Sequence, residues 1–197
     1  MTKLTSLTQE EQDNVIYDAR FGDLGSLTEI FSTEVEPSVL RDLKDGYSKS
    51  TPFHMAAANG HLEVLKYLIS LLQEEDVPSV LNTQNDSGNT ALHWAVLNGH
   101  LDVVQLLCDN NADPFIRNKS DHDVFFEAGN NDQEKVEDYL LQRYGNIVEN
   151  EVNEEETGKV EQNEDIKFSE GTEISKVTDE DKKAVEEMTE HTAKMNL

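Results

Sequence analysis

Cysteine, basic residues and long apolar runs are all scarce in this sequence. The single cysteine, Cys108, excludes an internal disulfide and suits a reducing compartment. The sequence has no N-terminal apolar segment and no run of about 20 apolar residues, which argues against secretion and membrane spanning. It therefore predicts a soluble intracellular protein with no membrane partner.

The shortage of basic residues leaves a formal net charge of -25, because 16 Lys and Arg stand against 41 Asp and Glu. Residues 1–145 carry 10 basic and 25 acidic side chains, and residues 146–197 carry 6 and 16. A field of this sign repels the phosphates of nucleic acids and attracts basic proteins. We therefore expect no direct binding of nucleic acid.

Motifs for catalysis and cofactor binding are also missing. The sequence contains no glycine-rich phosphate loop, no nucleophile elbow and no zinc-type pair of closely spaced ligands. Four histidines recur at matching places in two similar segments, where a role in helix packing explains each of them; they are His54, His61, His93 and His100. We predict no enzyme, no cofactor and no metal site.

A nineteen-residue stretch occurs twice and is the strongest feature that is present. Residues 51–69, TPFHMAAANGHLEVLKYLI, recur as residues 90–108, TALHWAVLNGHLDVVQLLC, with nine identical positions. Each copy reads as a helix hairpin: a threonine caps the first helix, a glycine ends it, and the second helix has one apolar face. In the first copy that face is predicted to comprise Leu62, Leu65, Leu68 and Ile69.

Two weaker copies flank this pair. Residues 18–31 align Gly22 with Gly60, and a degenerate copy begins at Asp123 without the histidine and glycine. Between the copies, the tetrapeptide Pro-Ser-Val-Leu occurs at residues 37–40 and 78–81. A proline opening a short helical turn that packs on the repeats explains it; contact with a partner is the alternative.

The segment 146–197 has a different character and is read as an acidic tail. Residues 149–165 are highly charged and nonperiodic, which predicts disorder. A capping-box pattern at residues 178–181 predicts a short helix over 179–190. The tail either solvates the protein or binds the partner, and the sequence leaves both open.

The Thr-x-x-His-x-Ala start and the repeat length resemble the ankyrin-repeat family over about two thirds of the chain. The resemblance implies an all-α ankyrin-repeat solenoid of about four helix hairpins with short hairpin loops, over residues 1–145. The repeats are placed at roughly residues 10–46, 47–84, 85–117 and 118–145. Solenoids of this kind offer an extended binding surface, and we expect function to lie there.

Four sequence segments narrow the resemblance to one group within this family. HMAAANGH at residues 54–61, GNTALHW at 88–94, LLCDNNADPFIRNKS at 106–120 and GTEISKVT at 171–178 resemble the small fungal ankyrin-repeat chaperones dedicated to one basic ribosomal protein. That client is the KH-domain protein of the small-subunit head, number three in its series. The resemblance implies a monomer that forms a one-to-one complex, keeps the client soluble and escorts it to the pre-ribosome, in cytoplasm and nucleus. A regulatory ankyrin protein that occludes an enzyme or transcription factor is the alternative.

Family geometry implies that the partner meets the hairpin tips and the exposed side of the first helices. The tip positions are Tyr47, Ser48, Ser50, Asp86, Ser87, Asn89, Lys119, Ser120 and His122. The helix positions are Arg20, Phe21, Ala58, Asn59, Leu97, Asn98, Asn130 and Asn131. Trp94, the only tryptophan, fits either the core or an anchor for the partner.

Overall fold

Helix hairpins follow one another along the chain in the computed structural model, which describes residues 3–157. The α-helices are α1 (Gln9–Phe21), α2 (Leu24–Glu29), α3 (Pro52–Ala58), α4 (Leu62–Ser70), α5 (Val77–Leu81), α6 (Ala91–Leu97), α7 (Leu101–Asp109), α8 (Val124–Asn130) and α9 (Glu134–Thr157). A π-helical turn, Ile30–Glu34, and a 3-10 helix, Pro37–Arg41, follow α2. The first helices α1, α3, α6 and α8 pack side by side in one layer, and α2, α4 and α7 form a second. This is the predicted all-α solenoid.

The first helices begin where the sequence predicts. Thr51, Thr90 and Asp123 each accept a hydrogen bond on the side chain from the backbone N–H three residues later. Such a cap satisfies an N–H that has no partner within the helix. The predicted starts of α3, α6 and α8 are therefore confirmed.

The first helices also end as predicted, at residues with a left-handed backbone. Gly22, Gly60 and Gly99 have φ of 77°, 72° and 71°. Asp132, which replaces the glycine in the fourth repeat, has φ 55°. A side chain in this region costs about 1–2 kcal/mol. The degenerate fourth repeat thus keeps the left-handed helix end, but Asp132 makes it less stable than a glycine would.

The second helices bury a face slightly different from the predicted one. In α4 the buried residues are Val64, Leu65 and Leu68, whereas Leu62 and Ile69 are only half-buried. Leu62 and Ile69 still pack against the core, so the predicted face is right and these two residues lie at its edge. Their positions flank the buried stripe, because residues 64, 65 and 68 lie on one side of the helix.

The two Pro-Ser-Val-Leu insertions form the short helices that the sequence predicts, Pro37–Arg41 and α5. Leu40 and Leu81 are buried in the core. The guanidinium of Arg41 lies 3.3 Å from the carboxylate of Asp76, just before α5. Docking of these apolar side chains confirms a packing role for the insertions.

Both ends of the described chain add structure beyond the predicted repeats. At the N-terminal end, Leu4 forms a parallel β-bridge with Val35, and the ammonium of Lys3 donates to the carbonyl of Phe31. At the C-terminal end, α9 runs to Thr157, so residues 146–157 are helical although the sequence places the tail's start there. Glutamate is a good helix former, and this segment is rich in it. The predicted helix over 179–190 lies outside the described residues.

Candidate partner-binding surface

Three hairpin tips are built on the same plan. The side chains of Asp45, Asn85 and Asn118 accept hydrogen bonds from backbone N–H groups further along their own tips, at 2.7–3.1 Å. Asp45 is partly buried, which by itself raises its pKa, but the hydrogen bonds from Ser48 and its neighbours outweigh burial and lower the pKa below its usual value. Each tip is therefore held rigid by one side chain.

The tips join into a continuous row. The N–H of Asp86 donates to the carbonyl of Ser48 at 2.7 Å, and the N–H of Lys119 donates to the carbonyl of Ser87 at 3.0 Å. These bonds bring the predicted tip residues of three repeats onto one edge. Tyr47, which is 93% exposed, stands at the first tip.

The residues at the tip bases have structural roles, and one of them is not on the surface. Ser50 is 1% exposed and is held by Asp45 and Asn85, so its predicted place on a partner-binding surface is wrong. The carbonyls of Asn89 and His122 accept from the Nε2 atoms of His54 and His93 at 2.9 and 3.2 Å. These positions connect the second and third tips to the preceding repeat.

His54 shows why these histidines are structural. Its Nδ1 accepts from the N–H of Thr51 at 3.1 Å, so Nε2 carries the proton and donates to Asn89. Burial disfavours the charged ring and lowers the pKa of His54 to about 4. Burial likewise lowers the pKa of His93. A neutral imidazole completes the hydrogen bonding in the second and third repeats.

The asparagines at the ends of the first helices cap those helices. The side-chain amides of Asn59, Asn98 and Asn131 donate to the carbonyl four residues earlier, at 2.8, 2.9 and 2.8 Å. Asn59 and Asn98 remain exposed, and so does the neighbouring Asn130. Their positions allow contact with a partner. Helix capping is sufficient to explain why the side-chain amides of Asn59 and Asn98 occur there.

Large apolar side chains lie on the open side of the first helices. Tyr17 and Phe21 are 58% and 62% exposed, and their ring centroids are 4.4 Å apart. Met55 and Trp94 are half-buried in the next two helices. Trp94 therefore lies outside the buried core, one of the two positions that the sequence allowed for it.

Other predicted binding positions surround these side chains on the first helices and at the third tip. Arg20 is exposed, and Ala58 and Leu97 are half-buried. Lys119 and Ser120 are exposed on the third tip. The sequence alone did not identify Tyr17 and Met55 as surface residues. Both lie five residues before the glycine that ends their helix, as Trp94 does in the third repeat, and this shared position could have identified them.

A polar cluster occupies the corresponding place in the fourth repeat. Glu127 is only 8% exposed, and its carboxylate accepts from the amides of Asn118 and Asn131. Nδ1 of His122 lies 3.2 Å from the same carboxylate, and the ring stacks on Phe126 at 3.8 Å. The position equivalent to Trp94 is therefore polar in the fourth repeat, although Phe126 beside it is exposed.

Neither a metal site nor a membrane-spanning element is found in the part of the chain that the structure describes. No three His, Cys, Asp or Glu side chains there are grouped so that they could hold a metal ion. No helix within residues 3–157 is both long and apolar enough to cross a membrane. Cys108 is 2% exposed, and burial raises the pKa of its thiol.

Comparison with known proteins now decides the family. A profile of ankyrin repeats (three copies) matches residues 15–118. The chain belongs to the ankyrin-repeat family. The ankyrin repeat-containing protein YAR1 of Saccharomyces cerevisiae is 50% identical over 196 residues, covering 97% of this chain and 95% of YAR1. An ankyrin repeat-containing protein of Schizosaccharomyces pombe is 39% identical over 129 residues, 66% of this chain and 83% of that protein.

A solved ankyrin-repeat structure is also similar. It is the crystal structure of the yeast ribosomal protein Rps3 in complex with its chaperone Yar1. The match has a TM-score of 0.69 and 53% sequence identity, and it covers 71% of this chain and 97% of that chain. The similarity therefore extends well beyond the family's repeat motif.

Proposed function

We propose that this ankyrin-repeat protein is the dedicated chaperone of a basic ribosomal protein of the Rps3 kind. The observation that carries the proposal is the 50% identity with YAR1 over nearly the full length of both proteins, because Yar1 is the chaperone of Rps3 in the similar crystal structure. A repeat motif alone does not fix function, since one fold serves many partners. Because the identity with YAR1 continues outside the repeat motif, it supports the same client, Rps3.

The surface has the properties that such a client needs. Residues 1–145 carry 25 acidic and 10 basic side chains, so a basic protein is attracted and polyanions are repelled. Exposed ion pairs contribute only about 0–1 kcal/mol each, so charge supplies encounter rate and selectivity. Apolar side chains on the first helices supply the remaining affinity.

Release follows from the same physics. Ribosomal RNA carries a far denser negative charge than this surface, and the client's basic side chains gain more by contacting phosphate. The chaperone therefore covers the client before assembly and yields it to the pre-ribosome. We propose that this escort takes place in the cytoplasm and nucleus and serves small-subunit biogenesis, with one monomer binding one KH-domain client and without a catalytic step.

Co-purification tests this proposal. Tagged full-length protein, co-expressed with untagged Saccharomyces cerevisiae Rps3, should retain Rps3 in stoichiometric amount through size-exclusion chromatography. A basic ribosomal protein of another type, expressed in the same way, is the control for nonspecific attraction by charge. Retention of both proteins to the same extent would contradict a dedicated role.

Affinity purification from cells separates the proposal from its alternative. A chaperone should bring down the ribosomal protein. Recovery of a kinase or transcription factor in its place would favour an ankyrin-repeat protein that occludes a regulatory partner, and would overturn the proposed function.

A further inference from the structure

The insertions that lengthen the repeats form a groove beside the second helices, which we call the insertion groove. Gly60 follows Gly22 by 38 residues and Gly99 follows Gly60 by 39, whereas the family repeat has about 33. The groove has a volume of about 360 Å³ and lies between the helix Pro37–Arg41 and the segment that joins α4 to α5. None of the residues that line it belongs to a first helix or to a hairpin tip, so it is separate from the candidate partner-binding surface.

Packing of the insertions accounts for only part of their apolar character. Leu40 and Leu81 are buried in the core, which explains why each insertion contains a leucine. Pro37, Leu71 and Leu72 are only half-buried, and they line the walls of the insertion groove. Concave sites with apolar walls are where proteins hold the apolar side chains of a partner. The groove can therefore receive an apolar side chain from a bound polypeptide.

The rim of the insertion groove has a surplus of negative charge. Glu36 and Asp76 line it, and Glu74 and Glu75 are exposed directly before Asp76. Arg41 is the only basic residue among those that line the groove, and its guanidinium lies 3.3 Å from the carboxylate of Asp76. Within residues 3–157, the carboxylates of Glu36, Glu74 and Glu75 form no ion pair. A segment that fits must therefore combine an apolar side chain with positive charge.

Charge also decides among the occupants that this groove could take. The segment 146–197 of this chain carries 6 basic and 16 acidic side chains, and a second copy of the chain carries a net charge of -25. Both are repelled by the acidic rim, and so is nucleic acid. A basic ribosomal protein is attracted.

We propose that the insertion groove binds a second basic segment of the Rps3-type client, one that carries at least one apolar side chain, while the hairpin tips and first helices hold another segment. Two linked contacts raise the overall affinity, because the second forms within the complex at a high effective concentration. The assignment rests on the proposed function. It gives the two insertions a role in client binding in addition to their role in packing.

Reversal of one charge on the rim tests the contribution of the groove to affinity. Glu36→Lys should weaken binding of purified yeast Rps3 about three- to tenfold, because it replaces attraction by repulsion at the groove. The matched control is Asp138→Lys, because Asp138 is exposed on α9, lies outside the groove and gives the same change in net charge. It should leave the affinity within about twofold, and both variants should unfold at the wild-type temperature.

Photo-cross-linking identifies the occupant directly. Ser38 is exposed and lines the groove, so p-benzoylphenylalanine in its place should cross-link to Rps3 in the complex of the full-length protein. The same photoreactive residue in place of Gln105, which is exposed on α7, is the matched control and should give no cross-link to Rps3.

Either of two results would overturn the groove as a client site while leaving the proposed function intact. One is an unchanged affinity of Glu36→Lys for Rps3, and the other is a complex that forms without a cross-link from position 38 to Rps3. A cross-link from position 38 to segment 146–197 or to a second copy, in place of Rps3, would likewise overturn the client as the occupant. Absence of any complex with the wild type would overturn the proposed function and the assignment together.

Discussion

The imidazole of His61 lies over Gly22 of the preceding repeat, with Nε2 2.9 Å from the carbonyl oxygen of Arg20. His100 repeats the arrangement over Gly60, with Nε2 3.2 Å from the carbonyl of Ala58. Each contact joins the start of one second helix to the end of the previous first helix. This pairing fixes the register between neighbouring repeats.

Gly60→Ala should destabilise the protein by at least about 2 kcal/mol. The residue has φ 72°, which costs a side chain about 1–2 kcal/mol, and a Cβ would lie 2.8 Å from Nδ1 of His100. Chemical denaturation followed by circular dichroism measures the change. Gly129→Ala is the matched control, since a Cβ there meets nothing closer than 3.7 Å. Equal stability of the two variants would contradict the register contact.

Stability should fall as the pH drops from about 7.5 to 5, because His54 is buried as the neutral form. Its folded-state pKa of about 4 lies below the unfolded value near 6.5. The unfolded chain therefore binds a proton in this range and the folded chain does not. The difference amounts to about 2 kcal/mol of unfolding free energy at pH 5.

Urea denaturation at several pH values tests the His54 prediction. The variant His54→Gln should start from a lower stability and depend less on pH over the same range. A pH dependence as steep as that of the wild type would assign the effect to other groups.

Cys108 should resist alkylation in the folded protein. Its thiol is 2% exposed, and burial raises its pKa, so little thiolate is present and the reagent cannot reach it. Iodoacetamide labelling followed by mass spectrometry should be slow in buffer and fast in denaturing guanidinium chloride. Rapid labelling of folded protein would show that the α7 face opens locally.

Removal of residues 158–197 should leave cooperative thermal unfolding of the repeats unchanged, because α9 ends at Thr157. Removal of residues 140–197 is the contrasting truncation, since it deletes Leu140, which is fully buried. The longer deletion should lower the unfolding temperature by several degrees. A similar loss from both truncations would mean that the tail supports the repeats.

The repeat plan was predictable because local rules determine it. Threonine caps, the left-handed glycines and the proline-led insertions each act within a few residues, so their patterns are readable in the sequence. The burial of Ser50 was not predictable from the sequence, because it depends on a hydrogen bond from Asn85 in the next repeat. The bridge of Leu4 to Val35 likewise joins residues that no local pattern connects.

The candidate surface was predictable only in part. Aligning the repeats places Tyr17, Met55 and Trp94 at one position, yet their exposure depends on how closely the first helices pack. The sequence left Trp94 between core and surface for this reason. Tyr47 was foreseen because it lies in a hairpin tip, where side chains project away from the helices.

We expect this protein to keep a basic ribosomal protein in solution by binding it one to one. Light scattering of purified yeast Rps3, alone and with increasing amounts of the full-length protein, tests it most directly. Aggregation should disappear at an equimolar ratio, and the affinity should fall about tenfold or more between roughly 50 and 200 mM salt. Aggregation that persists at a molar excess of the protein would contradict this one-to-one chaperone role.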